Sequence, residues 1–126
     1  MSQFVERRKY RRFEIPGGEL RYKRITAPVL IQHFSKSHPV LNVGVDGLAF
    51  VCEEEFNQGE KLIIQLIAPD EDPLNLRSIL RWQDSIALSS DVIVGLEFVE
   101  FGDDKDLNPP ETLGVLRRLY ARHVKG

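Results

Sequence analysis

Basic side chains crowd a short stretch near the N-terminus, from Glu6 to Arg12. Five basic residues stand beside one acid there, so the stretch carries +4 and the rest of the chain, whose total is −2, carries −6. The planar guanidinium of arginine donates paired hydrogen bonds to phosphate and carboxylate groups, and it stacks on flat rings. A basic arm on an acidic body indicates a compact anionic ligand, because the body would repel a long nucleic acid.

A glycine-containing corner is the second candidate feature: Asn42-Val43-Gly44-Val45-Asp46-Gly47. The side-chain amide of Asn42 can both accept and donate hydrogen bonds. Gly47 offers backbone freedom and close approach of a ligand, and Asp46-Gly47 is typical of a type I′ hairpin turn. Taken singly, the corner is an ordinary turn and the basic stretch an ordinary solvated tail.

The residue types used in catalysis and metal binding form no recognisable pattern. His33, His38 and His123 are scattered, with no cysteine or carboxylate at metal-ligand spacing. There is no phosphate-binding loop, dinucleotide fingerprint or nucleophile elbow. The single cysteine, Cys52, follows Phe-Val and is predicted to be a small buried hydrophobe. We therefore expect neither an enzyme nor a bound metal or cofactor.

Short segments rich in β-branched and aromatic residues predict a mostly β protein. The predicted strands are residues 19–24, 27–34, 40–43, 48–52, 61–68, 76–82 and 92–101. Seven short strands without alternating helices favour a small barrel or sandwich.

One helix is predicted after the strands, over residues 111–125. Asn108 is the expected N-cap, followed by proline in the first turn. The apolar residues that recur on one face of this helix are Leu113, Leu116, Leu119, Tyr120 and Val124. Such a stripe is typical of a lid packed on an open barrel end, or of a helix that binds a partner or dimerises.

With 126 residues the chain fits one domain, which we divide into a basic N-terminal arm (residues 1–18), a barrel (19–101), and an acidic connector with the C-terminal helix (102–126). No apolar run approaches the roughly 20 residues that a spanning helix needs. The N-terminus is polar and charged, so we expect a cytoplasmic protein without membrane insertion.

Combined, the two candidate features resemble the two-part ligand signature of the PilZ family. The arginine pair Arg8 and Arg12, spaced R-x-x-x-R, precedes a (D/N)-x-(S/A)-x-x-G pattern at Asn42–Gly47, and Leu-Ala-Phe follows. Three more segments resemble family strands, at residues 56–62, 79–82 and 94–98, so the resemblance runs from Glu6 to about Phe101. It implies an all-β fold with one C-terminal helix: a six- or seven-stranded antiparallel barrel with the helix packed on one end.

The resemblance also implies a ligand, the bacterial second messenger cyclic di-GMP. The residues expected to bind it are Arg7, Arg8, Arg12, Asn42, Gly44, Gly47 and Trp82.

Several of these site predictions carry a condition. The register Arg8/Arg12 is preferred over Arg7/Arg11, because Phe13 and Ile15 then alternate toward the barrel.

Gly44 stands where the family usually has Ser or Ala, so one hydrogen bond worth about 0.5 to 1.5 kcal/mol is lost and weakened binding is expected. Asp46 falls at a variable position, where its charge is mildly unfavourable to an anion. Trp82 either lies beside a ligand base or fills the core or its rim.

The function implied is a sensor or adaptor that orders its arm over cyclic di-GMP and signals to an unidentified effector protein, as a monomer or homodimer. A degenerate PilZ-like protein-interaction module that binds no nucleotide is the first alternative. A small barrel that binds single-stranded nucleic acid is the second, although the −6 body argues against DNA or RNA.

Overall fold

The computed structural model describes residues 11–25 and 33–124, which form a closed antiparallel barrel followed by one helix. The strands are β1 (Glu19–Arg24), β2 (His38–Val43), β3 (Gly47–Cys52), β4 (Lys61–Ile67), β5 (Leu74–Ser85) and β6 (Val92–Phe98), and the helix is α1 (Pro110–His123). Around the barrel the order is β1-β2-β3-β6-β5-β4. The expected barrel with one C-terminal helix is thereby confirmed.

One predicted strand, at residues 27–34, lies mostly outside the described residues. Its last two residues, His33 and Phe34, are described and belong to no strand.

Alternating side chains form the barrel wall and fill its interior. In β4, for example, Leu62, Ile64 and Leu66 are buried, and the residues between them are more exposed. Cys52 lies in the same core, as predicted.

Two strands break this alternation with a β-bulge. The pairing of β2 with β3 shifts between Val40 and Asn42, and that of β5 with β6 shifts between Leu80 and Trp82. Leu80 is completely buried, so strict alternation would send Trp82 into the core as well. The extra residue, Arg81, reverses the direction, and Trp82 lies on the outer face with 44% of its surface exposed.

Helix α1 packs on the barrel through the apolar stripe that its sequence indicates. Leu116 and Leu119 are buried in the common core. On the polar face, Arg118 and Arg122 lie 3.1 and 2.9 Å from the two carboxylate oxygens of Glu71, in the β4–β5 loop. The hydrogen bond from Arg118 is the main cause of the lowered pKa of Glu71. These contacts agree with a lid on the barrel.

This helix of 14 residues, the only one in the described ranges, is not long and apolar enough to cross a membrane.

The predicted cap of this helix is wrong. The N-cap is Pro109, which makes no side-chain hydrogen bond. Asn108 is instead buried, and its amide binds backbone groups of the barrel. It accepts from the Arg77 N–H at 2.7 Å and donates to the carbonyls of Arg77 and Val99 at 3.1 and 2.8 Å. Its side chain therefore fastens the connector to β5.

A polar cluster lies beyond the end of β3. Arg24 donates two hydrogen bonds to Glu60, at 2.6 and 2.8 Å, and a third to Glu54 at 3.0 Å. The bond to Glu60 raises the pKa of Arg24. Tyr22 also donates to Glu54, and its hydroxyl pKa is raised, first by burial and then by that bond. His38 is buried with its ring stacked 5.4 Å from that of Tyr22. The cluster ties β1 to the segment between β3 and β4.

We expect Asn108→Ala to lower the free energy of unfolding by about 2 to 4 kcal/mol, because it removes three hydrogen bonds and leaves buried backbone groups unsatisfied. Urea denaturation monitored by circular dichroism measures this. Asn75→Ala is the matched control, since Asn75 is exposed and its side chain accepts a long hydrogen bond, 3.5 Å, from Gln65; a change within about 0.5 kcal/mol is expected. Equal losses in the two variants would contradict the role assigned to Asn108.

We expect the buried ring of His38 to make stability depend on pH. Burial, reinforced by Lys36, lowers the pKa of His38 below its ordinary value of 6.5. The unfolded chain then takes up a proton at a higher pH than the folded one, so stability is complete above about pH 6.5 and falls as the pH is lowered through the folded pKa. Denaturation between pH 5 and 7.5 should show this fall in the wild type and in the control His33→Gln, whose residue is exposed, but not in His38→Gln. A fall of the same size in His38→Gln would refute the assignment.

Candidate functional site

The predicted corner is the tight connection between β2 and β3. Val43 pairs with Leu48, and the Gly44 N–H donates to the Gly47 carbonyl at 2.8 Å, which leaves Val45 and Asp46 as the two loop residues. A type I′ turn needs positive φ at both central residues, and neither has it. The hairpin is present, but the type I′ prediction is wrong.

Arg12 and Phe13, in the basic arm, lie against this corner; we call these two residues the arm end. Phe13 and Val43 exchange two backbone hydrogen bonds of 2.8 Å each. The ring of Phe13 is buried, edge-on to Tyr120 at 5.8 Å and stacked on His123 at 6.1 Å. Ile15 is buried as well, so the alternation on which the preferred arginine register rests is observed. These contacts fix the backbone beside Arg12.

Arg12 lies over the corner and contacts two of its side chains. Its Nη1 donates to Asn42 Oδ1 at 2.9 Å, across 30 positions of sequence, and its Nε lies 3.5 Å from Asp46 Oδ1. The side chains of Arg12 and Asp46 are only 15% and 30% exposed. The structure thus brings Arg12 and Asn42 together as the sequence predicts, and it adds a contact with Asp46 that sequence reasoning missed.

Both glycines of the signature lie where a side chain would collide. A Cβ on Gly44 would come within 2.8 Å of Arg12 Cδ and 2.9 Å of Asp46 Oδ1. A Cβ on Gly47 would come within 2.1 Å of the Leu96 carbonyl oxygen on β6. Gly47 has no left-handed φ, so the close packing of β3 on β6, rather than backbone freedom, requires glycine there.

Trp82 lies in one row with this corner on the outer face of the barrel. Asn42 pairs with Ala49, Ala49 with Gly95, and Gly95 with Trp82, on β2, β3, β6 and β5 in turn. Three strand spacings of about 4.8 Å separate the ends of the row by about 14 Å along the sheet. The two central residues are small and buried, Ala49 with 2% of its surface exposed, and the Trp82 indole lies over Gly95. We call this row, with an amide at one end and an indole at the other, the shelf. The 44% exposure of Trp82 excludes its placement in the core, whereas a position at the rim and a position beside a ligand base both fit it.

The remaining site predictions fall on the arm. Arg7 and Arg8 lie outside the described residues, and Arg11 is exposed. The sequence carries one signal of the contact between Asp46 and Arg12, the glycine at position 44, but the sequence alone indicates only that a hydrogen bond is lost there.

No protein-family model matches the sequence, and no curated protein matches it. Solved structures do match. The PilZ domain of YcgR from Escherichia coli with c-di-GMP is 13% identical with a TM-score of 0.65, over 94% of this chain and 92% of that one. Bacillus subtilis inhibitor of motility MotI/DgrA is 19% identical (TM-score 0.63), and the K. pneumonia MrkH–c-di-GMP complex is 9% identical (TM-score 0.65). The match covers 94% and 93% of this chain but only 51% and 52% of those two. This chain therefore has a PilZ-like fold, and it spans about half the length of MotI and MrkH.

We expect Gly95→Ala to displace the indole at the end of the shelf. A Cβ there would lie 2.2 Å from both Cε2 and Nε1 of Trp82, so the ring must move. Trp82 is the single tryptophan, and its fluorescence reports the change as a shifted emission maximum and stronger acrylamide quenching. Gly114→Ala, on α1 with nothing within 4 Å of its Cβ, is the control and should leave the spectrum unchanged. A wild-type spectrum for Gly95→Ala would show that the ring does not lie on Gly95.

Proposed function

We propose that this protein is a cyclic di-GMP sensor whose ligand binds on the shelf between Asn42 and Trp82. The observation that carries the proposal is the meeting of Arg12 with Asn42, 2.9 Å apart, at one end of a row that carries an exposed indole at the other. The PilZ-like fold supports it, since YcgR and MrkH with that fold were solved with c-di-GMP.

Each part of the site suits a different part of a cyclic guanine dinucleotide. The Arg12 guanidinium can pair with a phosphate or with guanine O6/N7, and the Asn42 amide complements a guanine edge. Trp82 offers a flat face on which a base can stack, a contact worth about 1 to 3 kcal/mol. Ala49 and Gly95 carry no long side chain, so a ring-shaped ligand that displaces the indole from Gly95 would meet no steric barrier from these two residues. Arg8, four residues before Arg12, would close on the ligand from its other side.

Ligand capture would be transmitted through Phe13. Its backbone is bonded to Val43 and its ring contacts Tyr120 and His123 near the end of α1. A ligand that draws Arg12 and the arm toward itself shifts the same segment that packs on the helix. A change in the exposed face of α1 is then the signal that an effector protein reads.

A PilZ-like interaction module without nucleotide binding is the alternative, and two observations favour it. Gly44 replaces the usual Ser or Ala, and Asp46 already engages Arg12 at 3.5 Å. On this alternative the Arg12 contacts only hold the arm to the barrel, and the effector would recognise the protein in a single conformation.

We expect Arg12→Ala to weaken cyclic di-GMP binding by about 2 to 5 kcal/mol, about 30-fold or more in Kd, because the ligand loses a desolvated charged contact. Isothermal titration calorimetry of the full chain measures it. Arg77→Ala is the matched control, since it removes the same charge from an exposed position on β5 that pairs with β4. Its Kd should stay within about twofold of wild type.

Each result of the titration decides between the candidates. Binding by wild type that is lost in Arg12→Ala supports the sensor. Saturable binding of equal affinity in both would reject the site, and no binding at millimolar cyclic di-GMP would leave the interaction module. A single-stranded oligonucleotide titrated in the same way should not bind.

A further inference from the structure

A carboxylate lies in the site proposed for an anionic ligand. Asp46, in the two-residue loop between β2 and β3, has its Oδ1 3.5 Å from Arg12 Nε. Both side chains are largely shielded, at 15% and 30% exposure, so solvent screens this attraction less than it would an open surface pair. Asn42 holds the other end of the same guanidinium at 2.9 Å.

The glycine at position 44 is what permits this contact. Its missing side chain leaves room for both partners: a Cβ would lie 2.8 Å from Arg12 Cδ and 2.9 Å from Asp46 Oδ1. Contacts below 3.0 Å force a neighbour to shift, so Ser or Ala at this position would push the arginine and the aspartate out of their present arrangement. The contact between Asp46 and Arg12 therefore depends on the glycine at position 44.

We infer that Asp46 is an internal competitor that holds Arg12 closed over the corner and sets the affinity of the site for its ligand. The inference rests on the proposed function. A phosphate or a guanine edge needs the donors of the same guanidinium, whose Nε faces Asp46, and the carboxylate also repels the phosphates. Binding then requires that Arg12 exchange Asp46 for the ligand, so the apparent affinity is the intrinsic affinity multiplied by the fraction of molecules in which this contact is already open.

Asp46→Asn tests the inference because it removes the charge and keeps the shape. Arg12 retains Asn42 and the Phe13 backbone bonds in this variant, so the site stays assembled. We expect cyclic di-GMP to bind about tenfold more tightly in calorimetry, as for an equilibrium about 10:1 in favour of the closed contact. Glu97→Gln is the matched control: Glu97 pairs with Gly47 across β3 and β6, and it is 52% exposed beside Arg81. It removes one nearby negative charge and should change Kd by less than about twofold.

A second readout needs no ligand. If Asp46 holds the arm end, amide exchange at Phe13 and Val43 should be several-fold faster in Asp46→Asn than in wild type, and unchanged in Glu97→Gln.

The outcomes separate the inference from the proposed function. Tighter binding by Asp46→Asn alone supports the inference. Binding by wild type that is equal or weaker in Asp46→Asn overturns it and leaves the proposed function standing. If neither the wild type nor any variant binds cyclic di-GMP, the proposed function is overturned. Amide exchange then tests whether Asp46 holds Arg12 over the corner. Faster exchange in Asp46→Asn supports this role of Asp46, and unchanged exchange overturns it.

Discussion

Two β-bulges determine which side chains this barrel presents on its outer face. Strand alternation places Asn42 on the same side as Val40, which packs against the core, and Trp82 on the same side as the buried Leu80. The extra residues Leu41 and Arg81 reverse both directions. Without them the amide and the indole would point into an apolar interior, where an unpaired amide is costly. With them, two polar-tipped groups lie in one row over the small residues Ala49 and Gly95.

The arm end depends on a second constraint, the paired backbone bonds between Phe13 and Val43. They place Arg12 at the Asn42 end of the row and leave the Phe13 ring to fill a gap beside α1. One short segment therefore contacts the shelf with its arginine and the helix with its phenylalanine. In the proposed function, this double contact would couple a ligand on the barrel to the surface of the helix. The coupling is proposed from contacts, and it requires that the arm have two arrangements.

Local patterns in the sequence predict most of the fold. β1 has the predicted bounds because its alternation is regular and Pro16-Gly17-Gly18 precedes it. β5 continues to Ser85, beyond the predicted end at residue 82, because its pairing with β6 resumes after the bulge. The sequence of one strand does not show which strand it pairs with, so this extension could not be predicted. The cap prediction for Asn108 is wrong for the same reason: its partner Arg77 is 31 positions away, and the local sequence indicates only a cap motif.

The candidate site divides in the same way. A motif resemblance predicts Asn42, Gly44 and Gly47, and it pairs them with Arg12. The contact of Asp46 depends on a turn with negative φ, whereas the Asp-Gly dipeptide suggested the opposite backbone. The outward position of Trp82 depends on the shift in register between β5 and β6, whereas strand alternation alone would place Trp82 in the core, on the same side as Leu80. The contact of Asp46 and the position of Trp82 could not be predicted, because both depend on how segments that are distant in the sequence pack together.

The central claim is that the row from Asn42 to Trp82 is where a guanine dinucleotide binds. An NMR titration of the 15N-labelled chain with cyclic di-GMP tests it most directly. The account predicts the largest shifts at the amides of residues 42–47, at Ala49 and Gly95, and at the Trp82 indole N–H. Shifts confined to the cluster around Arg24 and Glu54 beyond the far end of β3, or no shifts at millimolar ligand, would contradict it.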